Sequence, residues 1–143
     1  MQISNPMQIK SEFNNELKGL KADQEFIDWV GEKTFKDAWR TCERGDWMLW
    51  YWATKYPDDR MIFEAKARCA ELDKRLMKDE RSLAAVQAAH DYAAGKIDKS
   101  ALRMYADAAV SAFAAAAFAA AAAHKTTLKQ CADICREVFK LRQ

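Results

Sequence analysis

Residues 35–52 read FKDAWRTCERGDWMLWYW and hold Trp39, Trp47, Trp50 and Trp52, four of the chain's five tryptophans. Each tryptophan covers about 150–250 Å² when it packs. A cluster this dense is either the organising core of a fold or a contact surface that a partner covers. The break Arg44-Gly45-Asp46-Trp47 divides the stretch: Gly45 is expected to stop one helix and Asp46 to cap the next. The first helix opens after Thr34, a candidate N-cap, and sets Phe35, Ala38, Trp39 and Cys42 on one face. The second, turning about 100° per residue, puts Trp47, Trp50 and Tyr51 on one side, Met48 and Trp52 on another, and Leu49 and Ala53 on a third. A helix apolar all round is surrounded or lends one face to a partner. On this reading Trp39, Cys42, Trp47 and Trp50 belong to the core. Tyr51 and Trp52 form the candidate partner-binding pair, with Glu43, Arg44, Asp58 and Arg60 as its charged rim.

The same spacing extends outward. Ile9, Phe13, Leu17 and Leu20 mark a helix ending near Gly19, and Phe26, Trp29 and Val30 one that stops at Gly31. Pro57 ends the aromatic helix, and Asp58 or Asp59 opens a long one. Its stripe Ile62, Ala65, Cys69, Leu72, Leu76 alternates steps of three and four, a narrow helix-packing seam. A helix over residues 80–94 carries Leu83, Val86, His90 and Ala93 and closes at Gly95. Asp98 caps an alanine-rich helix that begins with Leu102 and Tyr105. The last helix carries Leu128, Cys131, Cys135 and Val138. Four glycines and two prolines in 143 residues leave few turns, and alanine is the best helix former. The fold class is therefore all-α.

The run Ala108–Ala123 contains Phe113 and Phe118 but no charge. Lacking a polar face, it is expected to be a central core helix. Phe113, Phe118, Cys131 and Cys135 join the tryptophans and Cys42 as core residues. The expected architecture is a compact single-domain bundle of about six to eight helices around that alanine-rich helix. Residues 1–21 are expected to form an N-terminal helical extension to a domain over residues 22–143.

Several function classes recede on composition. A formal net charge of +2 is small, and the alternating signs of Lys78-Asp79-Glu80-Arg81 describe a solvated helix surface. The most basic segment, residues 124–143, carries Lys125, Lys129, Arg136, Lys140 and Arg142 against Asp133 and Glu137, a weak footprint for nucleic acid. The uncharged run spans 16 residues, below the roughly 20 a bilayer requires, so no membrane partner is expected. No apolar run opens the chain, so no signal peptide is expected and the setting is cytoplasmic. The four cysteines then read as reduced thiols.

Candidate chemistry is sparse. Cys131 and Cys135 lie four apart, and Cys42, Cys69, His90 and His124 are available to complete a metal site. There is no second cysteine pair of knuckle spacing, and the two thiols share a stripe with Leu128 and Val138, where they act as small hydrophobes. A disulfide between them is disfavoured because one helix face points their Cβ atoms poorly for bridging. His90 lies on an apolar stripe beside Asp91 and is expected to be structural, and His124 suits a helix C-terminus. Ser100 and Ser111 lack a nucleophile-elbow context, and no phosphate loop or HExxH pattern occurs. No catalytic residue, metal or cofactor is assigned, and the chain is expected not to be an enzyme.

AWRTCERGDWMLW, a long helix with an internal cysteine, LAAVQAAHDYAAGKID and an alanine-saturated helix leading to CADICR together resemble the immunity-protein-five-like domain family. This is a class of proposed immunity proteins in bacterial and phage genomes. The resemblance spans roughly residues 24–138 and rests chiefly on Ala38-Trp39, Cys42, Arg44-Gly45-Asp46-Trp47 and Leu49-Trp50. It implies a small helical protein without catalysis that binds and neutralises another protein, either a toxin or, from a phage, a host defence component in the manner of an anti-CRISPR. It transfers no functional residues. Residues 1–21 lie outside it, and Tyr51-Trp52 is bulkier than the Leu-Ala type the pattern carries there. A homo-oligomer remains open, and the alternative class is a nucleic-acid-binding accessory protein using the basic C-terminal helix.

Overall fold

The computed structural model describes residues 11–72, 80–105 and 125–140. All regular structure among them is helical: α1 (Glu12–Gly19), α2 (Gln24–Val30), α3 (Phe35–Thr41), α4 (Gly45–Lys55), α5 (Met61–Ala70), α6 (Glu80–Ala93), α7, described over residues 99–105, and α8 (Lys125–Val138). The all-α expectation holds. The expected central helix over Ala108–Ala123, with Phe113 and Phe118, lies outside the described residues, as do Leu76 and His124. The chain forms two compact units, Met1–Cys42 and Glu43–Gln143. The break expected after Lys21 falls inside the first unit, between α1 and α2.

In the first unit, local signals set the helix ends. Ser11 accepts from the Asn14 backbone N–H at 3.0 Å and caps α1, and Thr34 accepts from the Asp37 N–H at 3.2 Å and caps α3. Both are side-chain oxygens satisfying orphan first-turn donors. Gly31 ends α2 at φ 51°, a conformation that only glycine takes without steric cost. The end of α1 is less expected, because Lys21 rather than Gly19 carries the left-handed backbone, at φ 62°. Its N–H donates to the Lys18 carbonyl at 3.1 Å and that of Ala22 to the Leu17 carbonyl at 3.0 Å, a double cap of the final turn. Phe13, Leu17, Phe26, Ile27, Val30, Ala38 and Trp39 are buried, and Phe13 meets Phe26 and Phe35 edge-on, at 6.2 and 5.1 Å between centroids. The buried Asn14 side-chain N–H donates to the Ile27 carbonyl at 3.0 Å and ties α1 to α2.

In the second unit α5 packs against α6 and α8, and α4 against α8. The α5–α6 seam is built from small side chains: Ala67, Ala70, Val86 and Ala89 are buried together with Phe63 against them. Phe63 also meets Tyr92 edge-on at 5.1 Å, beside Ala88 and Leu102. The buried face of α6 is rotated from the expected stripe. Leu83 is 44% exposed, whereas Ser82, Val86, Ala88, Ala89 and Tyr92 are buried. On an alanine-rich helix the largest apolar residue need not mark the core, because small residues are what permit close helix approach. Asp59 Oδ1 accepts from the Met61 N–H at 2.9 Å and opens α5. Asp98 Oδ1 accepts from the Ala101 N–H at 2.8 Å and opens α7, as its sequence position suggested.

Gly45 does not stop a helix. It is the first residue of α4, and α3 has already ended at Thr41. A Cβ built on Gly45 would lie 2.3 Å from Cys131 Cβ and 2.5 Å from the Ala132 nitrogen. Glycine is required because the start of α4 touches the backbone of α8.

Candidate partner-binding surface

The surface is set by how α4 is phased. Gly45, Trp47, Met48, Leu49 and Tyr51 are buried. Trp50 is 37% exposed, which corrects its assignment to the core, and Tyr51 is 2% exposed, which corrects its place in the partner-binding pair. The seating of Gly45 against α8 fixes the rotation. It turns Met48 toward α8, where Arg136 Nη1 lies 3.9 Å from the Met48 sulfur, and carries Trp50 outward. The Tyr51 hydroxyl accepts from Lys55 Nζ at 3.1 Å.

Trp52 has a structural task as well. Its ring stacks on Phe139 at 4.7 Å and 15° between planes, and its Nε1–H donates to Asp59 Oδ2 at 2.7 Å. Asp59 uses its other oxygen to cap α5. One carboxylate therefore joins the end of α4 to the start of α5. Tyr56 packs beside Trp52 at 4.6 Å and remains 43% exposed.

The expected charged rim divides. Arg44 is held by Asp46 through two bonds, Nε to Oδ1 at 2.9 Å and Nη2 to Oδ2 at 2.7 Å, with its guanidinium 4.2 Å from the centre of the Trp47 ring. It is a fixture of the α4 N-terminus rather than a free rim group. Arg60 is exposed, yet its guanidinium lies 5.0 Å from the Tyr92 ring centre. Asp58 and Glu43 are exposed. The large apolar side chains exposed along this stretch of chain are Trp50, Tyr56 and Met61, the last 37% exposed. Met61 and Tyr56 carried no sequence signal, since one opens a helix and the other precedes a proline.

The remaining candidate chemistry is structurally engaged. His90 bridges two carboxylates of α5 and its end: Nδ1 faces Glu64 Oε1 at 2.5 Å, and Nε2 faces Glu71 Oε1 at 2.7 Å. Both ring nitrogens must donate, which requires the imidazolium. Partial burial pulls its pKa down, but the two carboxylates outweigh that and hold it above the ordinary value. Cys42, Cys131 and Cys135 are buried, Cys69 is half-buried, and none of the four is in a disulfide. The neighbouring Cys131 thiol and burial hold the Cys69 thiol well above its ordinary pKa. Among the described residues no group of three or more His, Cys, Asp or Glu is arranged to hold a metal. No described helix is long and apolar enough to cross a membrane.

No family model, curated protein or solved structure matches the chain.

Proposed function

We propose that the protein is a non-enzymatic protein-binding inhibitor: an immunity-type neutraliser of a toxin or a phage-borne, anti-CRISPR-like inhibitor of a host defence component, acting in the cytoplasm. The observation that carries this reading is the exposure of Trp50, Tyr56 and Met61 within twelve residues, from α4 across the turn into α5. Tryptophan and tyrosine are the side chains most enriched among interface hot spots. Tyr56 stands on a turn stiffened by the Trp52–Asp59 bond, with Trp50 on the helix before it and Met61 opening the helix after it, so presenting them costs little ordering on binding. Asp58 and Arg60 supply charge at the edge of the same turn.

The nucleic-acid alternative draws less support from the basic helix than its composition suggested. Arg136 pairs with Asp133 at 2.7 Å, and Lys129 Nζ lies 3.9 Å from Glu43. The proposal is tested by affinity capture from the bacterial host lysate with the wild-type chain and with Trp50→Ala/Tyr56→Ala. A protein held by the first and lost by the second supports the reading. Equal retention by both, or recovery of nucleic acid that is released by moderate salt, counts against it.

A further inference from the structure

We propose that Arg60 is a charged anchor for the partner protein, which presents an aspartate or glutamate carboxylate to it. The inference rests on the protein-binding reading above and names the chemistry of the partner at one point. Arg60 is exposed, and its guanidinium lies over the Tyr92 ring, 5.0 Å from the centre, within cation–π range. Tyr92 is 9% exposed and meets Phe63 edge-on, so the platform under the guanidinium belongs to the core. Gly95, at φ 78°, leaves room beside it, since a Cβ there would lie 3.2 Å from Arg60 Nη1. The Gly95 N–H donates to the Tyr92 carbonyl at 3.0 Å. Arg60 therefore sits at the C-terminal end of α6, where the helix dipole favours a cation.

These contacts hold the side chain but give it no carboxylate. Arg44 pairs with Asp46 and Arg68 with Glu137, whereas Arg60 has no ion pair among the described residues. The acidic residues before it are not spent on it. Asp59 gives one oxygen to Trp52 and the other to the Met61 N–H, and Asp58 is exposed. The planar guanidinium takes a carboxylate through two parallel N–H···O bonds.

An exposed ion pair ordinarily gains little, because two long side chains must be ordered and water screens the charges. Here Tyr92 has ordered Arg60 before any partner arrives, and a partner seated on the turn removes water from the pair and strengthens it. Arginine joins tryptophan and tyrosine among the residues enriched in interface hot spots. A phosphate backbone fits less well. Asp58 and Asp59 lie within two residues of Arg60 and repel a polyanion, whereas a single carboxylate on an apolar protein surface suits both Arg60 and the exposed Met61 that follows it.

The test uses the full chain and, as probe, the protein that it captures and that Trp50→Ala/Tyr56→Ala releases, identified by mass spectrometry and purified. Calorimetric titration should show affinity weakened about tenfold or more in Arg60→Met, as for a hot-spot residue. Arg60→Glu should be weaker still, and Arg60→Lys should fall between Arg60→Met and wild type. Carbodiimide labelling of the probe should find one aspartate or glutamate protected by the wild-type chain and labelled again with Arg60→Met. Changing that residue to lysine should break binding to the wild-type chain, and Arg60→Glu should restore it, an outcome that misfolding does not produce. Equal affinity for wild type and Arg60→Met, or protection of no carboxylate, overturns the assignment of Arg60 and leaves the protein-binding reading standing. Absence of any protein that the Trp50→Ala/Tyr56→Ala chain releases overturns both.

Discussion

Gly45 and Cys131 lie so close that a methyl group on Gly45 would sit 2.3 Å from Cys131 Cβ, a separation that real side chains do not adopt. This contact phases α4 and thereby decides which tryptophans are buried. In an ordinary helix, replacing glycine by alanine gains about 1 kcal/mol. Here Gly45→Ala should instead destabilise, because overpacking against fixed backbone costs about 1–3 kcal/mol or more. Urea denaturation should show a lower midpoint. A midpoint equal to or above wild type would mean the helices are not in contact at this point.

The phasing separates two neighbouring aromatics. Tyr51→Ala empties a buried site and should cost about 3–5 kcal/mol, the range for large aromatics in cores. Trp50→Ala removes a side chain that is 37% exposed and should cost less than Tyr51→Ala, about 1–2 kcal/mol for the part it buries. Thermal melts of the two variants read the difference directly.

His90 gives the pH dependence. Its folded-state pKa is raised, so its contribution to stability is fully present below the ordinary value of 6.5 and is lost as pH rises through the higher folded value. Stability measured from about pH 5.5 to about pH 8.5 should therefore decline across the upper part of that window through this group. In His90→Gln that component of the decline should disappear.

Lys21 sits in a left-handed conformation that costs an L-residue about 1–2 kcal/mol. Lys21→Gly should recover part of it and stabilise the first unit by about 1 kcal/mol, less the greater chain entropy of glycine when unfolded. A lower melting temperature in this variant would show that the Lys21 side chain makes a compensating contact.

What the sequence showed and what it hid divide along physical lines. Thr34, Asp98 and Gly31 act within three or four residues, so their roles as caps and stops were legible. The stripe Leu128, Cys131, Cys135 was legible because α8 has one strongly apolar face. The rotation of α4 was not, since Trp47, Met48, Leu49, Trp50 and Tyr51 are apolar in every direction and periodicity carries no phase. Gly45 misled because its reason is a tertiary contact with α8. The His90 clamp was hidden because its carboxylates lie 26 and 19 residues away.

The central claim is that the exposed side chains from Trp50 to Met61 bind a protein. The most direct measurement is calorimetric titration of the captured partner with wild-type chain, Trp50→Ala and Trp50→Phe. The account predicts affinity weakened about tenfold or more in Trp50→Ala, as for a hot-spot aromatic, with partial recovery in Trp50→Phe and all three chains folded at the temperature of the titration. Equal affinity across the three chains would contradict it.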